Sequence, residues 1–339
     1  MQRFKIEDIS TYRSELMGFA ILWIMSFHFE FIQIFPVHFL TQFGYAGVEI
    51  FMVVSGLGLY YSLEKDNNVI HFYKRRFFRI IPIYYLLGIA DSIIVYKDNL
   101  ITYLFRYSTI GYWIDSYYGD WYIPSLMMLY FFAPIIKKIV DKEDKVFLTI
   151  FIVIILSIVL LLGIYYNIDR PHYFFIYRIP AFVFGMQCAL WIKKRKGLKP
   201  FTILAVIGIP FFVFLYSQYN IFYYYRFSSF LFLSPIILLF LTKLFKHNPC
   251  KINLPMAAIG KASLEIYLIQ GFIYHLYIYN IISISKSLHD IIAVLFIIIS
   301  SIGGIFVHKL YSRIESIFLT HRPRQHERII NPQMLSLGA

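Results

Sequence analysis

Long apolar stretches separated by short polar and basic segments dominate the pattern of this 339-residue chain. A helix needs roughly 20 apolar residues to cross the hydrocarbon core of a bilayer, and ten stretches have about that length. The stretch at 121–140 carries Pro124 and Pro134 near its ends, so it is either one helix or a broken, re-entrant segment. The predicted spans are about 14–34, 43–63, 78–97, 121–140, 146–165, 172–192, 200–217, 225–245, 260–280 and 288–310.

This pattern predicts an all-α fold, a polytopic membrane helix bundle of about ten transmembrane helices. When the N-terminus is placed in the cytoplasm, 26 of the 32 Lys and Arg residues lie on the cytoplasmic side and 6 on the other side. Cytoplasmic loops carry such an excess of positive charge. An even number of spans then puts both termini in the cytoplasm. Residues 1–319 would form the membrane domain, and residues 320–339 a short basic cytoplasmic tail.

The composition supports lipid as the solvent of this chain. It is 59% hydrophobic, 20% aromatic and only 15% charged, whereas soluble domains are nearer a quarter charged. The net charge of +13 does not indicate a nucleic-acid partner, because the basic residues lie between apolar runs rather than in a stripe with exposed aromatics. The two cysteines, Cys188 and Cys250, match no metal or disulfide spacing, and we predict no metal site.

Ionisable residues in the first two spans are candidates for chemistry, because charges in lipid are costly. His28 follows Arg13 by 15 residues, which is about 22 Å along a helix. His28 is either a general base or a histidine satisfied by a neighbouring helix. Arg13, at the inner surface, is either a phosphate ligand or an interfacial anchor. Glu49 has about the depth of His28, and it either orients the imidazole or pairs with a Tyr or Arg of another helix.

A basic cluster follows the second span in the segment HFYKRRFFRIIPIYY. Lys74, Arg75, Arg76 and Arg79 fall within six positions just before Pro82. Such a cluster binds either the phosphates of a cytosolic ligand or anionic lipid headgroups.

Further candidates lie near the opposite membrane face. Asp120 and Trp121 begin the fourth span, where they either belong to an interfacial aromatic belt or contact a sugar. Arg178 lies slightly inside that face and needs a partner. The ninth span adds Glu265 and Tyr267 as polar groups within an apolar run.

Six segments in order resemble the acyltransferase 3 family of integral membrane acyltransferases, over about residues 10–310. They are ELMGFAILWIMSFHF, GYAGVEIFMVVSGLGLY, FYKRRFFRIIPIYY, WYIPSLMMLY, YRIPAFVFGM and GKASLEIYLIQ. The resemblance implies a bacterial plasma-membrane enzyme. It would move an acyl group, commonly acetyl, from cytosolic acyl-CoA to a hydroxyl of a cell-surface or lipid-linked glycan.

The resemblance also assigns roles to residues. His28 matches the family histidine, whereas the family arginine position holds Met17, with Arg13 one helical turn earlier. Arg76 and Arg79 match the Arg-x-x-Arg motif of the inner face. The resemblance implies that these three arginines bind the CoA phosphates and that His28 deprotonates the acceptor.

Two further matches are incomplete. Ser55-Gly56 matches a Ser-Gly-aromatic motif whose third residue is here Leu57, and Ser55 is assigned to the CoA side. Gln270 replaces a histidine common in the late span. The resemblance implies that Glu49 supports His28, and we assign the acceptor to Asp120, Trp121, Arg178, Glu265 and Tyr267.

Several alternatives stay open at this point. A polytopic transporter would move a glycan precursor without forming an ester, and a non-catalytic subunit would tolerate loss of His28. Within the enzyme class, the acyl group is acetyl or succinyl. The transfer is either direct or passes through an acyl-histidine.

Overall fold

The computed structural model describes residues 5–29, 41–66, 68–114, 120–142, 172–195, 219–248, 251–279, 281–282 and 289–319. These residues form helices and connecting turns, with no β-strand among them. In chain order the α-helices are α1 (Glu7–Thr11), α2 (Arg13–His28), α3 (Gly47–Lys65), α4 (Val69–Asp91), α5 (Leu100–Tyr107), α6 (Ile110–Ile114), α7 (Tyr122–Lys142), α8 (His172–Lys193), α9 (Tyr219–His247), α10 (Asn253–Lys261), α11 (Ser263–Ile278) and α12 (His289–Leu319). A 3₁₀ turn (Gly44–Ala46) precedes α3, and a π-helical turn (Ser92–Tyr96) extends α4.

Five helical stretches in the described ranges are long and apolar enough to cross a bilayer. They coincide with the predicted spans at 43–63, 78–97, 121–140, 172–192 and 288–310. They run over Gly44–Lys65, Val69–Tyr96, Tyr122–Lys142, Phe174–Lys193 and His289–Glu315. The sequence therefore locates these spans correctly, because a backbone in lipid must satisfy its hydrogen bonds within a helix.

The ninth predicted span, 260–280, coincides with α11, and the short helix α10 precedes it. Helices α10 and α11 meet at an angle of 73°, so the polypeptide bends at Ala262 and only α11 continues along the predicted span. Of the two alternatives for 121–140, the structure has the single helix, because α7 is continuous and accommodates Pro134.

The remaining predicted spans are covered in part or not at all. The first is described only as α2, which has 16 residues, and the eighth lies within α9. The predicted spans at 146–165 and 200–217 and the tail at 320–339 lie outside the described residues.

Helix α3 is the centre of the described bundle, and α12 lies at its edge. Within α3, 83% of the apolar window is buried, against 17% in α12, whose large apolar side chains face outward. Helices α3 and α8 cross closely at Gly56 and Gly185. A side chain at Gly56 would collide with the backbone of Phe182, and one at Gly185 with the backbone of Val53. Small residues of this kind let transmembrane helices pack backbone to backbone.

Ion pairs join several helix ends on one side of the bundle. Glu64, near the end of α3, accepts from Lys137 of α7 at 2.8 Å and from Lys193 of α8 at 2.7 Å. The start of α4 lies on the same side, capped by Asn68, whose side chain accepts from the backbone N–H of Ile70 at 3.0 Å. These ends coincide with the loops that the charge pattern groups on one membrane face, and their cytoplasmic orientation stays a prediction.

Candidate functional site

A cavity of about 980 Å³ lies between helices α2, α3, α4, α7 and α11. Ligand cavities typically measure roughly 300–1,000 Å³. Helix α4 lines it with Arg76 and, 15 residues later, with Asp91, which places these residues about 22 Å apart along the helix axis. We name two parts of the cavity by their residues. The basic end holds Arg13, Arg75, Arg76, Arg79 and Lys261, and the acidic end holds Asp91, Asp120 and His275.

Two arginines of the basic end form no ion pair with a carboxylate within the described ranges. The Arg13 guanidinium lies against α3, where a side-chain carbon on Gly58 would come within 2.9 Å of its Cζ. Arg76 donates to Ser62 Oγ at 3.0 Å, and its Cζ lies 5.8 Å from the ring centre of Tyr130. The Arg76 Nε is buried and, among the described residues, has no hydrogen-bond partner. Two such guanidinium groups at one cavity fit a phosphate-bearing ligand.

The other arginines of the basic end are already paired. Arg79 donates to the Glu265 carboxylate from both terminal nitrogens, Nη1 at 2.5 Å and Nη2 at 3.1 Å. The Nδ1 atom of His308 lies 3.1 Å from the same carboxylate. Arg75 donates to Asp66 at 2.8 Å, and this hydrogen bond lowers the pKa of Asp66 to about 2. Asp66 is therefore ionised at neutral pH. The structure thus places Glu265, predicted at the acceptor side, with the arginines instead.

His28 is the last residue of α2 and lies in the cavity wall, against α11. Its Nδ1 donates to the buried side-chain carbonyl of Gln270 at 3.0 Å, and its ring stacks on Tyr274 with centroids 5.0 Å apart. In the neutral imidazole, a donating Nδ1 leaves the lone pair of the ring on Nε2. The ring is thus fixed in the form that a general base requires.

Glu49 and Arg178 form a buried ion pair between α3 and α8. Their side chains are both 1% exposed, and Arg178 Nη1 donates to Glu49 Oε1. The Arg178 Cζ also lies 5.7 Å from the ring centre of Trp121. Glu49 is thus held by Arg178, while Gln270 contacts His28. Ser55 follows Glu49 on α3 and lines the cavity.

Asp120 lies at the start of α7 and is held by hydrogen bonds to one of its two oxygens. Tyr267 donates its hydroxyl to Asp120 Oδ1, and the backbone N–H of Tyr122 donates to the same atom at 2.9 Å. The rings of Tyr122 and Tyr267 also pack together with centroids 4.8 Å apart. The structure therefore brings together Asp120, Trp121 and Tyr267, and their role in acceptor binding stays a prediction.

The structure adds a pair that sequence reasoning did not assign to the site. His275 Nδ1 lies 2.9 Å from Asp91 Oδ2, and Tyr107 donates its hydroxyl to the same oxygen at 3.2 Å. Asp91 is 7% exposed and lines the cavity with His275. The sequence does contain a sign of this pair. Asp91 is a carboxylate within the apolar run GIADSIIVY, where an ionisable residue is a functional candidate by default.

A neutralised arginine completes the acidic end. Arg106 lines the cavity and donates to both oxygens of Asp98, at 2.8 and 3.0 Å. Burial favours a higher pKa for Asp98, but hydrogen bonds from Arg106 and Ser92 outweigh it and lower the pKa. The Asp98–Arg106 pair therefore stays ionised, with no net charge, at neutral pH.

The site thus combines a cationic region, a hydrogen-bonded imidazole and a carboxylate-rich region along one cavity. Among the described residues, no group of three or more His, Cys, Asp or Glu side chains could hold a metal ion.

Comparison with known proteins finds one matching family model and one distant relative. The family model of the acyltransferase 3 type, described as an acyltransferase domain, matches residues 16–310. The chain is also 22% identical over 215 residues to "Putative acetyltransferase ORF330" of Acidianus two-tailed virus. That alignment covers 60% of this chain and 63% of the viral protein. No solved structure matches the chain.

Proposed function

The chain belongs to the acyltransferase 3 family, and from that premise we propose that it is a membrane-embedded O-acyltransferase. It transfers an acyl group, acetyl in the first instance, from cytosolic acyl-CoA to a hydroxyl of a cell-surface or lipid-linked glycan. It works in the plasma membrane of a bacterium, with the basic end of the cavity toward the cytoplasm. The observation that carries this proposal is the cavity that joins two unneutralised arginines to an oriented histidine.

The donor binds at the basic end. Arg13 and Arg76 contact the phosphates of CoA, because one guanidinium group can donate two parallel hydrogen bonds to the oxygens of a phosphate. Arg79 has a different role, because Glu265 already occupies both of its terminal nitrogens, Nη1 and Nη2. The Arg79–Glu265 pair then forms a fixed wall of the donor site, and Ser55 lies farther along the path of the pantetheine arm.

The chemistry takes place at His28. Its Nε2 removes the proton of the acceptor hydroxyl as the hydroxyl oxygen attacks the thioester carbonyl. The tetrahedral intermediate then collapses, the carbon–sulfur bond breaks, and the imidazolium gives its proton to the departing CoA sulfur. Acyl ester and CoA thiol are the products, so no proton is gained or lost. Gln270 holds the imidazole in place, and the Glu49–Arg178 pair fixes α3 against α8 beside it.

The acceptor binds toward Asp120, Trp121 and Tyr267. The indole ring offers a face for a sugar, and the carboxylate accepts hydrogen bonds from hydroxyls. Arg178 keeps the indole in position through its cation–π contact.

The first experiment measures ester-linked acyl groups on surface glycans in cells that lack the protein and carry one of three versions. These are wild type, His28→Ala and His71→Ala at matched membrane abundance. General-base catalysis contributes typically 10²–10⁴-fold, so His28→Ala should leave almost no ester. His71→Ala should behave as wild type, because that side chain is 53% exposed and pairs with Asp66 at 3.6 Å.

Two outcomes would count against the proposal. Wild-type ester levels with His28→Ala would remove this histidine from the chemistry and favour a non-catalytic subunit. Equal ester levels with and without the wild-type protein would contradict the acyltransferase assignment and favour a transporter, to be tested by precursor translocation.

A further inference from the structure

The charges of the cavity wall change sign along its length. At the basic end, Arg13, Arg76 and Lys261 remain after Arg79 is paired with Glu265 and Arg75 with Asp66. Glu315, which also lines that end, lowers this excess by one charge. Among the described residues, the basic end therefore keeps a net positive charge.

The acidic end has the opposite balance. Arg106 and Arg178 lie at this end, and each is neutralised by a carboxylate. Arg106 is bound to Asp98, and Arg178 is bound to Glu49. The carboxylates Asp91 and Asp120 have no arginine or lysine partner within the described ranges, and they face the cavity with His275. His275 pairs with Asp91, and Asp120 lines the same cavity.

A buried oxygen at this end lacks a donor. Asp120 Oδ1 accepts two hydrogen bonds, whereas Oδ2 is shielded from solvent and has no partner among the described residues. A buried carboxylate oxygen without a donor costs free energy, so a ligand that supplies an O–H or N–H group is favoured there. An anionic group offers no such donor and would be repelled.

The Asp91–His275 pair offers the complementary chemistry. Asp91 holds Nδ1 of the imidazole, which leaves Nε2 as the free ring nitrogen for a ligand. The ring of Tyr96 flanks the imidazole with centroids 5.7 Å apart. Together with Trp121, these rings give the acidic end apolar faces as well as hydrogen-bond acceptors.

We propose that Asp91, His275 and Asp120 form the acceptor-binding site and that they select a hydroxyl-rich sugar residue without negative charge. This inference rests on the proposed acyltransferase function and adds the position and charge class of the acceptor. A carboxylate or phosphate on the acylated residue, about 6 Å from either aspartate, would bind roughly 100-fold less tightly at an effective dielectric constant near 20. Hydroxyl groups of a neutral sugar would hydrogen-bond to the free nitrogen of His275, and a small rotation of the Asp120 side chain would offer Oδ2 to the same ligand.

The experiment uses the protein's own acceptor. Purified full-length protein in lipid nanodiscs is given radiolabelled acetyl-CoA and the total envelope glycans extracted from the deletion strain. The glycans are then depolymerised under conditions that keep esters, and the labelled sugar residue is separated by anion exchange and identified. We expect the label on an uncharged residue. Label on a uronic acid or on a phosphorylated sugar would overturn the inference while leaving the acyltransferase function in place.

Variants then test the residues. Asp91→Asn and His275→Gln should each raise the KM for the acceptor about 10-fold and change the KM for acetyl-CoA less than twofold. Asp120→Asn should also reduce, about 10-fold, the ratio of kcat/KM for neutral sugars to kcat/KM for carboxylated sugars. Asp290→Asn is the matched control, because this carboxylate is 46% exposed at the start of α12 and pairs with His289.

The results separate the two proposals. If Asp91→Asn, His275→Gln and Asp120→Asn all leave the acceptor KM unchanged, this acceptor site is wrong. Binding of labelled acetyl-CoA checks that each variant is folded. If wild-type protein labels no glycan at all, the proposed function itself fails, and this inference falls with it.

Discussion

At the basic end of the cavity, Arg13 and Arg76 have no carboxylate partner within the described ranges, whereas at the acidic end both arginines are bound to one. The same residue type thus has two roles that the sequence alone does not separate. Arg106 and Arg178 are structural, because Asp98 and Glu49 neutralise them. Arg13 and Arg76 have no such partner within the described ranges, which is why we propose them as ligand-binding residues. Ligand preference is therefore indicated by the charge that the protein leaves unpaired, and not by the number of charged residues near a cavity.

The comparison also applies within the basic end. Arg76 and Arg79 lie one turn apart on α4 and belong to the same sequence motif, yet only Arg79 forms a two-pronged pair with a carboxylate. Removing Glu265 would therefore be expected to unmask a buried cation, whereas removing Arg76 would be expected to weaken an anion site. A motif match assigns both arginines to one role, and the side-chain contacts distinguish them.

The largest effect is expected from replacing both arginines that lack a carboxylate partner, Arg13 and Arg76. Arg13→Gln with Arg76→Gln should raise the KM for acetyl-CoA about 100-fold or more, because a hydrogen bond to a charged group contributes about 1.5–3 kcal/mol. The rate at saturating donor should change much less. Steady-state kinetics in nanodiscs measures both quantities.

Arg313→Gln is the control for a general loss of positive charge, since Arg313 lies exposed on α12 outside the cavity. An unchanged KM for acetyl-CoA in the double variant would contradict donor binding at the basic end. A selective loss of anionic lipid from the same variant would instead support the headgroup interpretation of the cluster.

A smaller effect is expected at the centre of the cavity. Gln270→Leu removes the acceptor of the His28 Nδ1–H bond, so the imidazole loses its fixed orientation. We expect kcat to fall about 10-fold while both KM values change less than twofold. Gln270→His should recover most of the activity, because a histidine nitrogen can also accept that hydrogen bond. Equal losses in the leucine and histidine variants would show that Gln270 acts only through packing.

The sequence predicts what depends on local pattern. Spans such as 43–63 and 172–192 are recognisable because a helix in lipid must be long and apolar. The clustering of Arg76 and Arg79 is evident from their spacing. The value of His28 as a candidate follows from the cost of placing a titratable group within an apolar run.

The partners of these groups depend on contacts between distant parts of the chain. Glu265 is 186 residues from Arg79, and Glu49 is 129 residues from Arg178. Which of several acidic residues meets which arginine depends on the rotation and depth of each helix, and these follow from tertiary packing. The bend at Ala262 has the same origin. Gly260 lies directly against the backbone of α2, so a close helix contact accompanies the break.

The smallest expected effect is the coupling between the two ends. Arg76 and Asp91 are about 22 Å apart on α4, and substitutions more than about 10 Å apart usually have additive effects, within about 0.5 kcal/mol. Arg76→Gln and Asp91→Asn should therefore multiply in their effects on the rate at low concentrations of both substrates, within a factor of about two. A double-mutant cycle measures this. Pro82 lies between the two residues within α4, where a proline can act as a bend. If the effect of the double variant on this rate differs more than about fivefold from the product of the two single effects, donor binding changes the acceptor end through this helix. The two ends would then not be independent sites.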